Sequence, residues 1–283
     1  MQAEEQEKII IAIGSLTDDY VASNNGAVFV VTGTLSNNAW RWSDKNLIYY
    51  SQFSERPGTG ISLISCSSGY QLFFAESETS LSADKQGTLL VCTSSNAQDW
   101  STPTIIARGN NTNSLIGLND IKAADFNGKT YIFFSEPGAD IEPFSVNGAV
   151  FCVTSSNNNE WPTSDSFLDK KLIYFGSLNE DQALSPNKSY SIETFIGNDN
   201  RLYYGFRKSQ KNDKSQLILG YVTADGFFET SENNQIYILN EDDDYQYFPN
   251  DILSPVAAAP YSFEGYEVPI FFYSTERVRV AKN

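Results

Sequence analysis

The 283-residue chain contains no histidine. That absence removes the Ser-His-Asp and Cys-His routes to an activated nucleophile, and every His-ligated zinc site. Acid–base chemistry falls to carboxylates or tyrosine. Cysteine is scarce. Cys66, Cys92 and Cys152 are odd in number and lie in apolar runs, which reads as buried free thiols rather than a disulfide framework. No apolar run approaches the roughly 20 residues that span a bilayer, so membrane insertion is not expected. Neither a metal nor an organic cofactor is implied by any motif.

Positive charge is also thin. Nineteen Lys and Arg face 35 Asp and Glu, for a net charge of −16. Without a basic cluster the chain cannot release counterions from a phosphate backbone, so nucleic acid is not an expected partner. A neutral ligand such as a sugar is compatible with this charge, and the acidity also favours solubility. The first eight residues, Met1-Gln-Ala-Glu-Glu-Gln-Glu-Lys8, are acidic and lack the pattern of a secretory signal. The expected location is therefore cytoplasmic, non-classically secreted, or extracellular for a processed mature form.

What the chain has in quantity is aromatic residues, 16 Tyr and 19 Phe, which favour strands. It also has a repeat. Gly26-Ala-Val-Phe-Val-Val-Thr32, Gly87-Thr-Leu-Leu-Val-Cys-Thr93 and Gly148-Ala-Val-Phe-Cys-Val-Thr154 recur at one spacing of about 60 residues, each followed by a Trp: Trp40, Trp100 and Trp161. In the second copy, strands are expected over 87–95, 104–107, 120–126 and 129–135, with Asn127-Gly128 as a hairpin turn. Four antiparallel strands per period predict a β-propeller. Three full blades fall at about 60–107, 120–175 and 190–239. A partial piece at each end is expected to complete the ring by pairing of the terminal blades. The expectation is one propeller domain over 1–283, all-β, with five blades; four is the alternative if the end pieces merge.

Thr93-Ser-Ser-Asn-Ala-Gln-Asp-Trp-Ser-Thr-Pro103 and Thr154-Ser-Ser-Asn-Asn-Asn-Glu-Trp-Pro162 resemble the Asp-box turns of sialidase-like propellers, with Asn96 and Asn157 near the Asp position. The resemblance implies a structural role: a polar side chain caps the turn, and Trp40, Trp100 and Trp161 pack between strands. Sialidase activity itself is not expected. No Arg-Ile-Pro segment precedes the first blade, and arginines are few.

If the Trp turns occupy one face, the long loops occupy the other, where ligands favour variable loops on a rigid scaffold. Glu76 and Glu136 end second strands at matching places. Asp120 and Asp251 open innermost strands, Glu193 lies within Ser191-Ile-Glu-Thr-Phe195, Arg207 ends the third hairpin, and Tyr245 and Tyr247 crowd the last loop. These are the candidate ligand-binding residues. Carboxylates would accept hydrogen bonds from sugar hydroxyls while aromatic rings stack on the apolar sugar face. Such recurrence resembles propeller lectins, and implies binding of glycans or glycoproteins through neutral sugars without turnover. A protein-interaction scaffold is a second reading. A third follows from Asn119-Asp-Ile-Lys-Ala-Ala-Asp-Phe-Asn-Gly-Lys-Thr-Tyr131, which is similar to a segment of five-bladed arabinanase and xylosidase enzymes. That resemblance implies a glycosidase in which Asp120 tunes a pKa, Glu193 is the acid and Asp251 substitutes for the base. Two carboxyls about 5 to 9 Å apart are then required.

Overall fold

The computed structural model describes residues 8–15, 27–50, 60–76, 88–108, 121–136, 149–156, 159–161, 170–175, 192–209, 215–226, 228–230, 238–240, 251–263 and 266–277, the last four ranges as backbone only. Among them no α-helix occurs, and no helix is long and apolar enough to cross a membrane.

The strands form consecutive antiparallel sheets. The first holds β1 (Lys8–Ser15), β2 (Ala27–Ser36), β3 (Ala39–Trp42) and β4 (Asn46–Tyr50), with β3 and β4 both paired to β2. The second runs β5 (Ile61–Cys66), β6 (Gly69–Glu76), β7 (Thr88–Ser94) and β8 (Thr104–Arg108). The third runs β9 (Ile121–Phe126), β10 (Lys129–Glu136), β11 (Ala149–Thr154) and β12 (Lys171–Phe175). The fourth holds β13 (Ile192–Ile196), β14 (Leu202–Ser209) and β15 (Ser215–Val222), with β16 (Phe228–Thr230) and β17 (Ile238–Asn240) both on β15. A hairpin, β18 (Asp251–Phe263) and β19 (Tyr266–Arg277), forms a separate two-stranded sheet.

The sequence dictates this locally. Asn127 and Gly128 both have positive φ (52° and 71°), the geometry a two-residue turn between twisted strands demands. Along each strand, alternate side chains go to opposite faces, and here both faces are apolar. Phe73 packs with the third sheet, whereas Phe74 packs with the first. Phe133 packs with the fourth sheet and Phe134 with the second. The second and third sheets are thus sandwiched between their neighbours, which accounts for their near-continuous hydrophobic runs. The first strands follow one another around a centre: β5 touches β9, β9 touches β13, and β13 touches β18. Ser62 Oγ on β5 accepts the Ala123 amide of β9 at 2.9 Å, fixing that spacing. This is a β-propeller.

The sheets match the expected blade limits. The hairpin β18–β19 pairs with no other strand in the described ladders, so the closing pairing of terminal blades is not among them. One turn differs from expectation. Trp40 was expected in a turn after the third strand, but β2 continues to Ser36, reverses at Asn37-Asn38 (φ 53° and 59°), and places Trp40 on β3 opposite Leu35. Trp40 is exposed, not packed between strands. Cys92 and Cys152 are buried free thiols, while Cys66 is only half-buried.

Candidate functional site

The ladders sort the molecule into two ends. Ile61 pairs with Phe74, Ile121 with Phe134, Ile192 with Phe206 and Asp251 with Arg277, so first strands begin where second strands finish. The backbone of Glu76, Glu136, Glu193, Arg207 and Asp251 therefore gathers toward one end. The hairpin turns and Trp turns stand at the other.

At the first end the carboxylates that can be placed are already engaged. Glu76 is buried, and its Oε2 accepts the Tyr49 hydroxyl at 2.5 Å, which ties the first sheet to the second. Glu193 Oε2 on β13 lies 2.7 Å from Lys122 Nζ on the neighbouring innermost strand β9. Asp120, Tyr245 and Tyr247 lie outside the described residues, as do the side chains of Glu136, Arg207 and Asp251. Among the described residues no group of His, Cys, Asp and Glu could hold a metal ion.

At the opposite end a cavity of about 870 Å³ opens between the second and third sheets. Its walls are the β5–β6 turn at Ser67 and Ser68, the turn after β7 and the turn after β11. Hydroxyls and amides dominate the lining, Asp99 and Glu160 add carboxylates, and among the described residues no Lys or Arg contributes.

The turns that shape it are built by side-chain caps. Asn96 Oδ1 accepts the amides of Gln98 and Asp99 at 2.8 and 2.9 Å, and Ser94 Oγ accepts the Ala97 amide at 2.9 Å. Asn96 thus caps this turn. The next turn is anchored from the preceding sheet: Gln71 Nε2 donates to the Asn159 carbonyl at 2.8 Å. Thr130 Oγ1 stands 3.0 Å from both Gln71 Oε1 and Asn159 Oδ1.

That trio leaves a residue of unused hydrogen bonding. Gln71 and Asn159 are 1% and 3% exposed. The Thr130 hydroxyl has one proton for two acceptor oxygens. Turning the Asn159 amide over lets Thr130 donate to Gln71 and accept from Asn159. In either orientation one amide atom of Asn159 stays unpartnered, and as placed it is Nδ2. Trp161 Nε1, in the same wall, is likewise buried and without a partner among the described residues. A buried polar group left unmatched costs about 1–3 kcal/mol. Trp161 itself is held edge-on against Phe73, ring centroids 5.6 Å apart at 71°.

Sequence reasoning missed this site because it assigned ligands to the loop end and scaffold to the Trp end. Asn159 at positive φ in a Ser- and Asn-rich turn was the available signal.

No protein-family model and no curated protein matches the chain. Among solved structures, it is similar to an α-L-arabinanase from Penicillium chrysogenum complexed with arabinobiose, at 9% identity and TM-score 0.44, covering 78% of this chain and 66% of that one. It is also similar to a mutant α-L-arabinanase from Cellvibrio cellulosa, at 12% identity and TM-score 0.40, covering 83% and 76%. Neither likeness extends to chemistry.

Proposed function

We propose that the protein binds a neutral saccharide in the cavity between the second and third sheets. The observation that carries this reading is the cavity lining, in which hydroxyls, amides and two carboxylates stand beside the half-buried indole of Trp161. A sugar suits that lining: its hydroxyls donate or accept as required, and its C–H faces stack on an aromatic ring. Asp99 and Glu160 can accept sugar hydroxyls, and these carboxylates, with no Lys or Arg among the described lining residues, disfavour an anionic ligand. The volume lies within the range of pockets that enclose a small ligand.

Glycan-array screening followed by calorimetry tests the reading. Neutral glycans are expected to bind, and Trp161→Ala, which removes the ring a sugar face would stack on, is expected to weaken binding about tenfold. Absence of any glycan binding would favour a protein-interaction propeller instead. A second reading, glycoside hydrolysis near the axis, is motivated by Glu193, a partly exposed carboxylate on an innermost strand. Release of reducing sugar, abolished by Glu193→Gln, would establish turnover.

A further inference from the structure

Two polar side chains bridge the first sheet to the second at the turn end. Lys8 Nζ donates to the Asn96 carbonyl at 2.7 Å and lies 6.0 Å from the centre of the Tyr70 ring. Asn46 Nδ2 donates to the Gln98 carbonyl at 2.7 Å. Both acceptors belong to the turn after β7. An ammonium and an amide from one sheet thus hold the Trp turn of the next.

The repeat shows what stands in these places one sheet further on. Gln71 sits opposite Thr93 as Ile10 sits opposite Thr32, so Gly69 holds the place of Lys8. Thr104 sits opposite Val91 as Asn46 sits opposite Val30, so Thr104 holds the place of Asn46. Neither residue can make the bridge. Thr104 is short. At Gly69 a Cβ would stand 2.4 Å from the Ser94 carbonyl oxygen, at a φ of 123° that suits glycine alone. Counted from Trp100 and Trp161, Gln98 and Asp99 correspond to Asn159 and Glu160. Gln71 Nε2 takes over the Asn159 carbonyl, as Asn46 holds that of Gln98. The part of Lys8 is not taken over: among the described residues no cation lines the gap. The cavity opens where these bridges are missing, and Thr104 lines it.

The charge of the cavity points the same way. Asp99 and Glu160 line it from the two facing turns. Asp99 Oδ2 accepts the Asn96 side-chain amide at 2.8 Å. Glu160 joins its turn through the backbone carbonyl, which accepts Ser156 N and Oγ, and the residue is exposed. Two carboxylates on one concave surface set a negative potential that favours a positive ligand group. We infer that the saccharide taken by this cavity carries a free, protonated amine, which fills the part that the Lys8 ammonium plays one sheet earlier and takes Asp99 and Glu160 as its counter-charges. This rests on the saccharide reading of the cavity and narrows it to hexosamines and their oligomers. A neutral sugar meets the hydroxyl lining, and the amine adds a charge-assisted hydrogen bond.

Calorimetry on the full chain at about pH 6, where an amine is protonated, tests it with sugars that differ only at one substituent. Glucosamine, galactosamine and mannosamine, and dimers of each, are compared with their N-acetyl forms and with the parent hexoses. The amine form of the sugar that binds is expected to do so about fivefold tighter than its neutral partners. Glu160→Gln leaves the backbone bonds of its turn in place, so it should unfold at the wild-type urea midpoint and bring that ratio down toward one. Neutral forms that bind as tightly as the amines, or a ratio that Glu160→Gln leaves unmoved, overturn the inference while the saccharide reading stands. Failure of every sugar to bind, with or without an amine, removes that reading and this inference with it.

Discussion

The Thr93 amide donates to Ser101 Oγ at 3.0 Å, and the Ser101 amide returns a bond to the Thr93 carbonyl at 2.9 Å. Thr32 and Ser43 make the same reciprocal pair, at 3.0 and 2.8 Å. Each Ser directly follows a Trp, so the counterpart of Trp100 is Trp42 and not Trp40. The first turn is longer because an additional hairpin, Asn37-Asn38 with β3, is inserted between the partners.

These clamps differ in burial from a related bond, and the difference sets an order of effects. Thr93 is exposed, so water can replace the hydroxyl lost in Ser101→Ala, which should cost about 0.5–1 kcal/mol. Ser155 Oγ accepts the Thr130 amide at 2.8 Å where both residues are buried. Ser155→Ala strands that amide and should cost about 1–3 kcal/mol. Urea midpoints at unchanged m-value measure both, and equal losses would contradict the burial argument.

The blades were legible in the sequence because their signals are local. Asn127-Gly128 announces its turn, and the Gly26, Gly87 and Gly148 spacing sets the period. The Trp42 assignment was legible too, but only by reading the Ser after the Trp rather than the distance from the Thr. The cavity was not legible. It depends on Gln71, Thr130 and Asn159, which come from three separate strands or turns and meet only through packing. Nor could the sequence reveal that Glu76 would be engaged by Tyr49, since that bond joins two sheets.

Burial between sheets should dominate stability. Phe133 is fully buried and lies 4.8 Å from Tyr204 by ring centroid, at the boundary of the third and fourth sheets. Phe133→Ala should cost about 3–5 kcal/mol through lost transfer energy and the cavity left behind. Ile196, 46% exposed, should tolerate Ser within about 0.5 kcal/mol. Thermal or urea unfolding of the two variants compares them directly.

The buried thiols should make the protein sensitive to alkali. Burial pushes Cys92 and Cys152 up to about 12. For Cys152, hydrogen bonding with Thr154 pulls the other way and is outweighed. A folded-state pKa above the unfolded one favours the protonated fold. The stabilisation is therefore complete below about pH 8.5, the ordinary thiol value, and is lost as pH rises toward 12. Burial also raises Tyr131, which adds in the same direction. A disulfide reagent at about pH 8 should label Cys66 alone in the native protein, and all three cysteines in urea. Rapid native labelling of Cys92 or Cys152 would contradict their burial.

Asn159 separates a backbone role from a ligand role. Its φ of 58° is left-handed, a conformation Gly adopts freely and Ala adopts at about 1–2 kcal/mol. Its side chain is bonded through Thr130 on one amide atom and unpartnered on the other. Asn159→Gly should keep the turn, still anchored by Gln71 at the carbonyl, and remove the side-chain amide from the cavity wall. Asn159→Ala should remove the same group and strain the turn as well. Both variants should lose saccharide affinity alike, while the Ala variant unfolds at lower urea than the Gly variant. If affinity instead tracked stability, with the Gly variant binding as the wild type does, the amide would be a turn-former only, and Trp161 alone would have to account for recognition.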